Sequence, residues 1–370
     1  MLKAKFRFRA GHRDSFHIRP PWKLCSIFLN LTERCNLNCD YCHALPDRPA
    51  ETMPHDLVNG ILDQAAAMGD ATILLTGGEP FCYPHLEEVL KGCQRRNLAC
   101  KIATNGTLLD DAHVAMLLRY GVQSLQVSLD TMDPHMYAKA KGAAPGTFQD
   151  VVDGIQRCVQ TGKLHLAVSS VARRASQSGL AEVLEFCHDR HVNTFTVYKV
   201  IPFGRAAANN AQELGEEEFI QLLDGLFARF VQLREHWAVD LGFPWAADST
   251  ILRKWEKQVS IKPIGCVAGK SNLTILANGD VVPCVCMEDR HLSCGNVGRS
   301  SLAELWDAPV MRYFRGQEPI EGCAGCPQFA FCLGGCRTMA YLTSGRDSAP
   351  DPICRHWRVQ PAATTRPDMQ

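Results

Sequence analysis

The chain has 370 residues, with 39 Lys and Arg balanced by 39 Asp and Glu, and is 46% hydrophobic and 21% charged. These are the proportions of an ordinary globular protein, long enough for one large α/β domain and a smaller one. A formally neutral chain has no global field to draw it to nucleic acid or an anionic membrane, so neither is expected as a partner. No run approaches the ~18 apolar residues of a membrane span, and the opening MLKAKFRFRAGHRDS lacks the apolar core of a secretory signal. A cytoplasmic location is the expectation. In a reducing compartment, 18 cysteines that cluster point to metal ligands rather than disulfides. Three fall at 35–42 and nine between 266 and 354, whereas the scattered Cys25, Cys93, Cys100, Cys158 and Cys187 read as small buried hydrophobes.

Residues 1–24 form an N-terminal extension, whose alternating Lys3, Lys5, Arg7 and Arg9 suit the solvated face of an edge strand. From 25 to 235, short apolar runs alternate with amphipathic stretches. The predicted strands are 26–31, 72–76, 100–104, 124–129, 165–171 and 194–200; the predicted helices are 54–69, 84–97, 110–120, 147–161, 178–190 and 216–235. This alternation predicts an α/β fold of parallel strands, a partial (β/α)6 TIM-like barrel. In such barrels the chemistry sits in the loops after the strand C-termini. Residues 236–265 read as a connector. Beyond them, NLTILANGDVVPC predicts a hairpin around Asn278-Gly279, and SLAELWDAPVMRYFRG predicts one helix. The rest of 266–357 is dominated by Cys, Gly and Pro and needs metal binding for stability. Residues 358–370 are expected to be a flexible tail.

ERCNLNCDYCHA places Cys35, Cys39 and Cys42 at C-x3-C-x2-C, directly after the first strand. Three thiolates on one loop can hold three irons of a [4Fe–4S] cube, whereas a structural cluster takes four cysteines. The fourth iron is then open to the amino and carboxylate groups of S-adenosylmethionine (SAM). With LLTGGEP at 74–80, ATNGT at 103–107 and VSLD at 127–130 ending the next three strands, the sequence resembles the radical SAM superfamily. The resemblance implies that electron transfer from the cluster cleaves SAM to a 5′-deoxyadenosyl radical. It further implies that Gly77, Gly78, Glu79 and Pro80 contact the SAM amino group and that Tyr41 packs near the adenine. Asn105 joins them at the SAM site, and Ser128 and Asp130 lie near the ribose or, alternatively, cap the next helix. Lys141-Gly142 stands where many relatives have Arg-Gly; lysine replaces the charge but not the bidentate fork. Cys82 lines the site or packs beside it.

At the other end, Cys266, Cys284, Cys323, Cys326, Cys332, Cys336 and Cys354 resemble the SPASM domain in their spacing, a small cysteine-rich C-terminal iron–sulfur domain with two auxiliary [4Fe–4S] clusters. By that resemblance Cys323, Cys326, Cys332 and Cys354 hold an outer cluster, and Cys266, Cys284 and Cys336 an inner one. The fourth ligand of the inner cluster stays open between Cys286, Cys294 and none. Taken alone, C-x2-C pairs also read as zinc sites.

The resemblance implies a maturase that abstracts hydrogen from a ribosomally made peptide or protein and oxidises or crosslinks it. Alternatively, the same chemistry acts on a small molecule: a sugar or aminocyclitol, or a tetrapyrrole side chain. An electron donor such as flavodoxin or ferredoxin is implied, and a separate peptide-recognition protein would serve the first reading. No catalytic acid or base is identified. Ten cysteines in these sets predict about twelve irons in three cubes after anaerobic reconstitution, and about eight in a Cys35/Cys39/Cys42→Ala variant. Zinc with no more than about four irons in the wild type would contradict the C-terminal assignment.

Overall fold

A computed structural model of the chain describes residues 22–44, 50–69, 71–233, 240–242, 254–255, 266–287, 292–317, 320–326, 329–332, 334–346, 348–352 and 354. Most of the N-terminal extension, nearly all of the connector and the whole of the tail lie outside the described residues.

The first six strands are parallel: β1 (Ser26–Thr32), β2 (Thr72–Gly77), β3 (Cys100–Thr104), β4 (Ser124–Ser128), β5 (His165–Ala172) and β6 (Thr194–Lys199). They alternate with helices α1 (His55–Met68), α2 (Leu86–Arg95), α3 (Asp111–Arg119), α4 (Pro134–Lys141), α5 (Thr147–Gln160), α6 (Leu180–Asp189) and α7 (Glu216–Leu233). Every predicted strand and helix of this region is present, within about two residues at each end, as expected for element boundaries. The sheet is not closed. β7 (Asp240–Gly242) adds parallel to β6 at one edge, and β8 (Asn272–Ile275) adds parallel to β1 at the other. β9 (Asp280–Val282) and β10 (Gly295–Asn296) continue antiparallel from β8. The cysteine-rich segment is therefore fastened to the barrel through the sheet itself.

Strand alternation sorts the two faces. Ile27, Leu29, Ile73, Leu75, Ile102, Leu125, Val127, Leu166, Val168, Phe195 and Val197 are fully buried in one core with Ile61 and Leu62 of α1, Val89 of α2, Ile155 of α5, Leu184 of α6 and Phe227 of α7. Burying each such side chain contributes roughly 1.5–3 kcal/mol. The opposite, concave face mixes polar and apolar side chains: Asn30 lies beside Thr76, Lys101 beside Ser124, and Ser128 beside Ser169, which in turn neighbours Thr196, while Phe28 lies beside Leu74, Ala103 beside Gln126 and Val171 beside Tyr198. A closed TIM barrel fills this space with Val, Ile and Leu; here polar side chains are interspersed among the apolar ones.

Two elements differ from the sequence expectation. α4, unpredicted, has the short sequence PHMYAKAK with little apolar stripe, and its ends define it. The Asp133 carboxylate accepts from the His135 N–H (2.8 Å) and the Met136 N–H (3.2 Å), Pro134 occupies the first turn, and Gly142 closes it in the left-handed conformation (φ 56°). The single helix expected from SLAELWDAPVMRYFRG is broken. Ser301 and Glu304 form a capping box for Leu302–Trp306, and a second helix starts at Pro309. Pro309 has no N–H to give the preceding turn and forces Ala308 into an extended conformation (ψ 151°).

The tightest backbone approach in the sheet is at the end of β2. A Cβ at Gly78 would lie 2.3 Å from the Arg34 carbonyl oxygen, whereas Gly225, on an exposed part of α7, has open space around it. Gly78→Ala should therefore lower the melting temperature of the metal-free protein by several degrees, a loss above ~1 kcal/mol. Gly225→Ala should leave it unchanged or raise it. Equal stability of the two variants in a thermal melt would contradict this.

Candidate functional site

β1 ends at Thr32, and the chain then crosses the C-terminal edge of the sheet as the loop that carries Cys35, Cys39 and Cys42. Neighbouring elements hold this loop from three sides. The Gly78 N–H donates to the Thr32 carbonyl (2.7 Å) and the Glu79 N–H to the Arg34 carbonyl (2.9 Å). From α4, the Lys141 carbonyl accepts from the Asn38 N–H (2.9 Å) and the Ala140 carbonyl from the Asp40 N–H (3.0 Å). After β6, the Ala206 N–H donates to the Cys42 carbonyl (3.2 Å), and Gly204 passes so close to His43 that a Cβ would lie 2.1 Å from its carbonyl oxygen. Gly77 and Gly78 thus meet the loop's backbone, with no room for a side chain.

Glu79 is fully buried, and its carboxylate points into the protein. It accepts from the Thr104 hydroxyl (2.7 Å), the Asn105 N–H (2.7 Å) and the Phe81 N–H (3.2 Å). Burial lifts its pKa to about 7 even against these donors. Asn105 continues the chain of contacts: its amide donates to Asn36 Oδ1 (2.8 Å) and approaches the Cys35 sulfur (3.8 Å). Pro80 follows, buried, at the start of a short 3-10 turn. Glu79 therefore acts on the loop through the end of β3.

A second buried group lies beneath the loop. Asp130, two residues past β4, accepts from the Tyr41 hydroxyl and from the Val171 N–H (2.7 Å), and pairs with the Lys141 ammonium (2.9 Å). Both charged side chains are almost wholly buried. Burial alone would raise the Asp130 pKa, but Lys141, Tyr41 and Val171 hold it below the ordinary value. Burial likewise opposes the Lys141 charge, and Asp130, Tyr41 and Cys39 outweigh it. Arg173 stacks on the Tyr41 ring at 4.3 Å and pairs with Asp40 (3.1 Å). The Tyr41–Asp130–Lys141 contact was not visible in the sequence, because its members lie far apart in the chain. Ser128 ends β4 on the concave face, half-buried.

None of the cysteines is joined in a disulfide. Cys35, Cys39 and Cys42 lie in one another's field, and burial raises Cys39 to about 11 although Lys141 opposes the shift. Such thiols bind a metal only by giving up their protons. At the C-terminal end, Cys336 lies in the field of Cys266 and Cys284, and Cys323 in that of Cys332, Cys354 and Cys326. Cys286 hydrogen-bonds to Cys284 and lowers its pKa to about 7. Cys294 instead packs against the main core beside Arg315, where burial pushes it to about 12. Cys82 is half-buried beside the Asn36 backbone. Among the described residues, no three thiol, carboxylate or imidazole side chains close on a single metal ion. The donor chemistry, free thiols in sets of three or more, is that of iron–sulfur ligation.

Glu79→Gln should show how the carboxylate works. The amide N–H2 would face either the Asn105 N–H or the Thr104 and Phe81 donors, leaving buried groups unpaired at a cost of roughly 1–3 kcal/mol. Reduced stability, with less iron bound on reconstitution, is the expected outcome. Wild-type stability and iron content would show that Glu79 does not support the loop.

The Radical SAM superfamily model matches residues 29–172, and the SPASM iron–sulfur cluster-binding domain model matches residues 266–327. The chain is 26% identical over 358 residues to the AdoMet-dependent heme synthase of Oleidesulfovibrio alaskensis, covering 91% of this chain and 89% of the relative. It is 25% identical over 364 residues to the PqqA peptide cyclase of Granulibacter bethesdensis, covering 95% and 93%. Among solved structures, anSMEcpe with bound AdoMet superposes with a TM-score of 0.73 at 16% identity, over 90% of this chain and 91% of that one. Streptococcus suis SuiB bound to its precursor peptide SuiA gives 0.72 at 19%, over 90% and 76%. These likenesses show the shared fold. No described helix is long and apolar enough to cross a membrane. With the two domain matches laid over its two cysteine-bearing regions, the chain belongs to the radical SAM superfamily of enzymes, with SAM and [4Fe–4S] clusters as its cofactors and a SPASM domain toward its C-terminal end.

Proposed function

We propose that the enzyme modifies a peptide, with Cys35, Cys39 and Cys42 holding the SAM-binding cluster. Cys323, Cys326, Cys332 and Cys354 hold an outer auxiliary cluster, and Cys266, Cys284 and Cys336 an inner one. Cys286, bonded to Cys284, completes the inner set in preference to Cys294, which is directed to the barrel core. SAM and its cluster, when bound, supply reductive SAM cleavage and hydrogen-atom abstraction from the substrate.

The chain's own residues position these reactants. Gly77, Gly78, Glu79, Pro80 and Asn105 frame the loop and present backbone to the methionine end of SAM. Tyr41, held by Asp130, and Ser128 face its adenosine end. An electron donor such as flavodoxin or ferredoxin approaches from outside.

The observation that carries the peptide reading is the row of polar side chains set among Phe28, Leu74, Ala103 and Tyr198 on the concave face. A peptide brings an amide donor and acceptor at every residue, and the row Lys101, Ser124, Gln126, Ser128, Ser169 and Thr196 offers partners for them. A tetrapyrrole macrocycle has broad apolar faces and would leave these groups unpaired. The relation to PqqA peptide cyclases and the fold shared with peptide-bound SuiB support the same reading. The second reading, a tetrapyrrole substrate, is favoured by the heme synthases, 26% and 27% identical over about nine-tenths of this chain.

The test offers reduced holoenzyme with SAM a panel of ribosomal precursor peptides and, separately, a carboxylated iron tetrapyrrole. Substrate mass and 5′-deoxyadenosine are followed together. Loss of hydrogen from a peptide is expected; turnover of the tetrapyrrole alone would replace this reading with the second. Thr196→Phe, which fills the concave face, should raise the KM for the peptide by about tenfold (~1.4 kcal/mol). Release of 5′-deoxyadenosine without substrate should be unchanged. An unaltered KM would remove the concave face from substrate binding.

A further inference from the structure

Among the described residues, Asn30 Oδ1, Asn272 Oδ1 and Thr274 Oγ1 are buried without a hydrogen-bond partner, and all three lie where β8 joins β1. Strand alternation puts them on the concave face. Ile27 and Leu29 of β1, with Leu273 and Ile275 of β8, are fully buried in the main core beneath the helices. Phe28 and Asn30, and likewise Asn272 and Thr274, therefore point the other way. The register sets Thr274 beside Phe28, with Asn30 two residues further along β1 and Asn272 two residues back along β8. On the other side of β1, Leu74 lies beside Phe28 and Thr76 beside Asn30. Asn30 and Asn272 are 5% exposed and Thr274 0%, whereas Phe28, Leu74 and Thr76 are half-buried and leave the neighbouring face accessible.

Native interiors rarely leave such groups unpaired, because each has given up its water without gaining a donor. Three on adjoining positions of one face point to a partner that arrives from outside. An extended peptide presents an N–H to the same side at every second residue, a repeat of about 6.7 Å. That is the two-residue step from Asn272 to Thr274, and Asn30 lies diagonally across from Thr274 at a similar distance, about 7–8 Å. The charge of the ligand is also restricted. β1, β2 and β8 contain no acidic residue, so an ammonium bound here would be buried without a counter-charge. A carboxylate brings only acceptors, which an Asn Oδ1 cannot serve. Neutral amide N–H groups meet both conditions.

We propose that Asn30, Thr274 and Asn272 form a subsite for peptide backbone, accepting N–H groups of a substrate that lies extended over β1 and β8. This names a site for the peptide reading given above and rests on it. Phe28 and Leu74, between the polar positions, contact the substrate's side chains. Because β8 falls within the segment matched by the SPASM model, the subsite is shared between the barrel and the C-terminal domain. Its residues bind substrate and take no part in the radical step.

The test uses reconstituted full-length wild type, Thr274→Val, Thr274→Ser, Asn272→Leu and Asn30→Leu. The probes are the precursor peptide turned over in the panel above and its single N-methyl analogues, each lacking one backbone N–H. Without peptide, Thr274→Val should melt no lower than wild type, since it exchanges an unpaired hydroxyl for a methyl group of the same shape. Its KM for the peptide should rise about tenfold with kcat within about twofold, and Thr274→Ser should stay near wild type. The two leucine variants should raise KM likewise. One N-methyl analogue should raise the wild-type KM by a similar factor and lose nothing further in Thr274→Val. Wild-type KM in all three apolar variants, or N-methyl effects that add fully to Thr274→Val at every position, overturns the subsite and leaves the peptide reading standing. A lower melting temperature in Thr274→Val, or its failure to fold, shows a hydroxyl already bonded in the free protein, by ordered water included, and also overturns it. Turnover of the iron tetrapyrrole alone refutes the peptide reading and the subsite with it.

Discussion

Three thiols within eight residues lie on a loop with no regular secondary structure, and neighbouring elements of the barrel are arranged to hold that loop. The loop has little internal bonding, the Cys42 N–H donating to the Cys39 carbonyl (3.4 Å), and it is held mainly by partners on other elements. β2 meets it at Thr32 and Arg34, α4 at Asn38 and Asp40, and the segment after β6 at Cys42. Each approach is close enough that glycine stands at the contact, as Gly78, Gly142 and Gly204 do. Beneath, Asp130 pairs with Lys141 and receives the Tyr41 hydroxyl, so the charge at the end of α4 is tied to the same loop. A buried pair of this kind adds little net stability compared with an apolar core, but removing one partner strands the other and is costly. Its role here is to fix where the loop lies.

The same construction gives both buried acids their partners within the protein. Glu79 and Asp130 are both directed inward, one to the end of β3 and the other to Lys141 and β5. They set the positions of backbone and aromatic groups. The concave face carries more polar side chains than the face beneath the helices, which is mostly apolar. At the edge of β1, β8 continues the sheet into the cysteine-rich region.

The parallel strands were legible because each is a short apolar run between strong turn signals, and the cysteine spacings were legible because they are local. α4 was not, since PHMYAKAK carries its information in Asp133, Pro134 and Gly142 at the ends and little in its periodicity. The break at Pro309 was readable in principle, yet the apolar spacing across it matched a continuous helix. Which way Glu79 and Asp130 face depends on Thr104, Val171 and Lys141, contacts that no local pattern specifies. The pairing of Cys284 with Cys286, and the burial of Cys294 in the other core, likewise appear only once the sheet is folded.

The central claim is that the protein itself holds the cysteine loop in place before any cluster is present. Hydrogen–deuterium exchange of the metal-free protein measures this most directly, read on the amides of Asn38, Asp40 and Ala206, which bond to α4 or to the loop, in wild type and Lys141→Met. The account predicts protection of these amides in the wild type and at least tenfold faster exchange at Asn38 and Asp40 in the variant (~1.4 kcal/mol), with β3 and β4 unaffected. Exchange of the wild-type loop as fast as an unstructured peptide would contradict it.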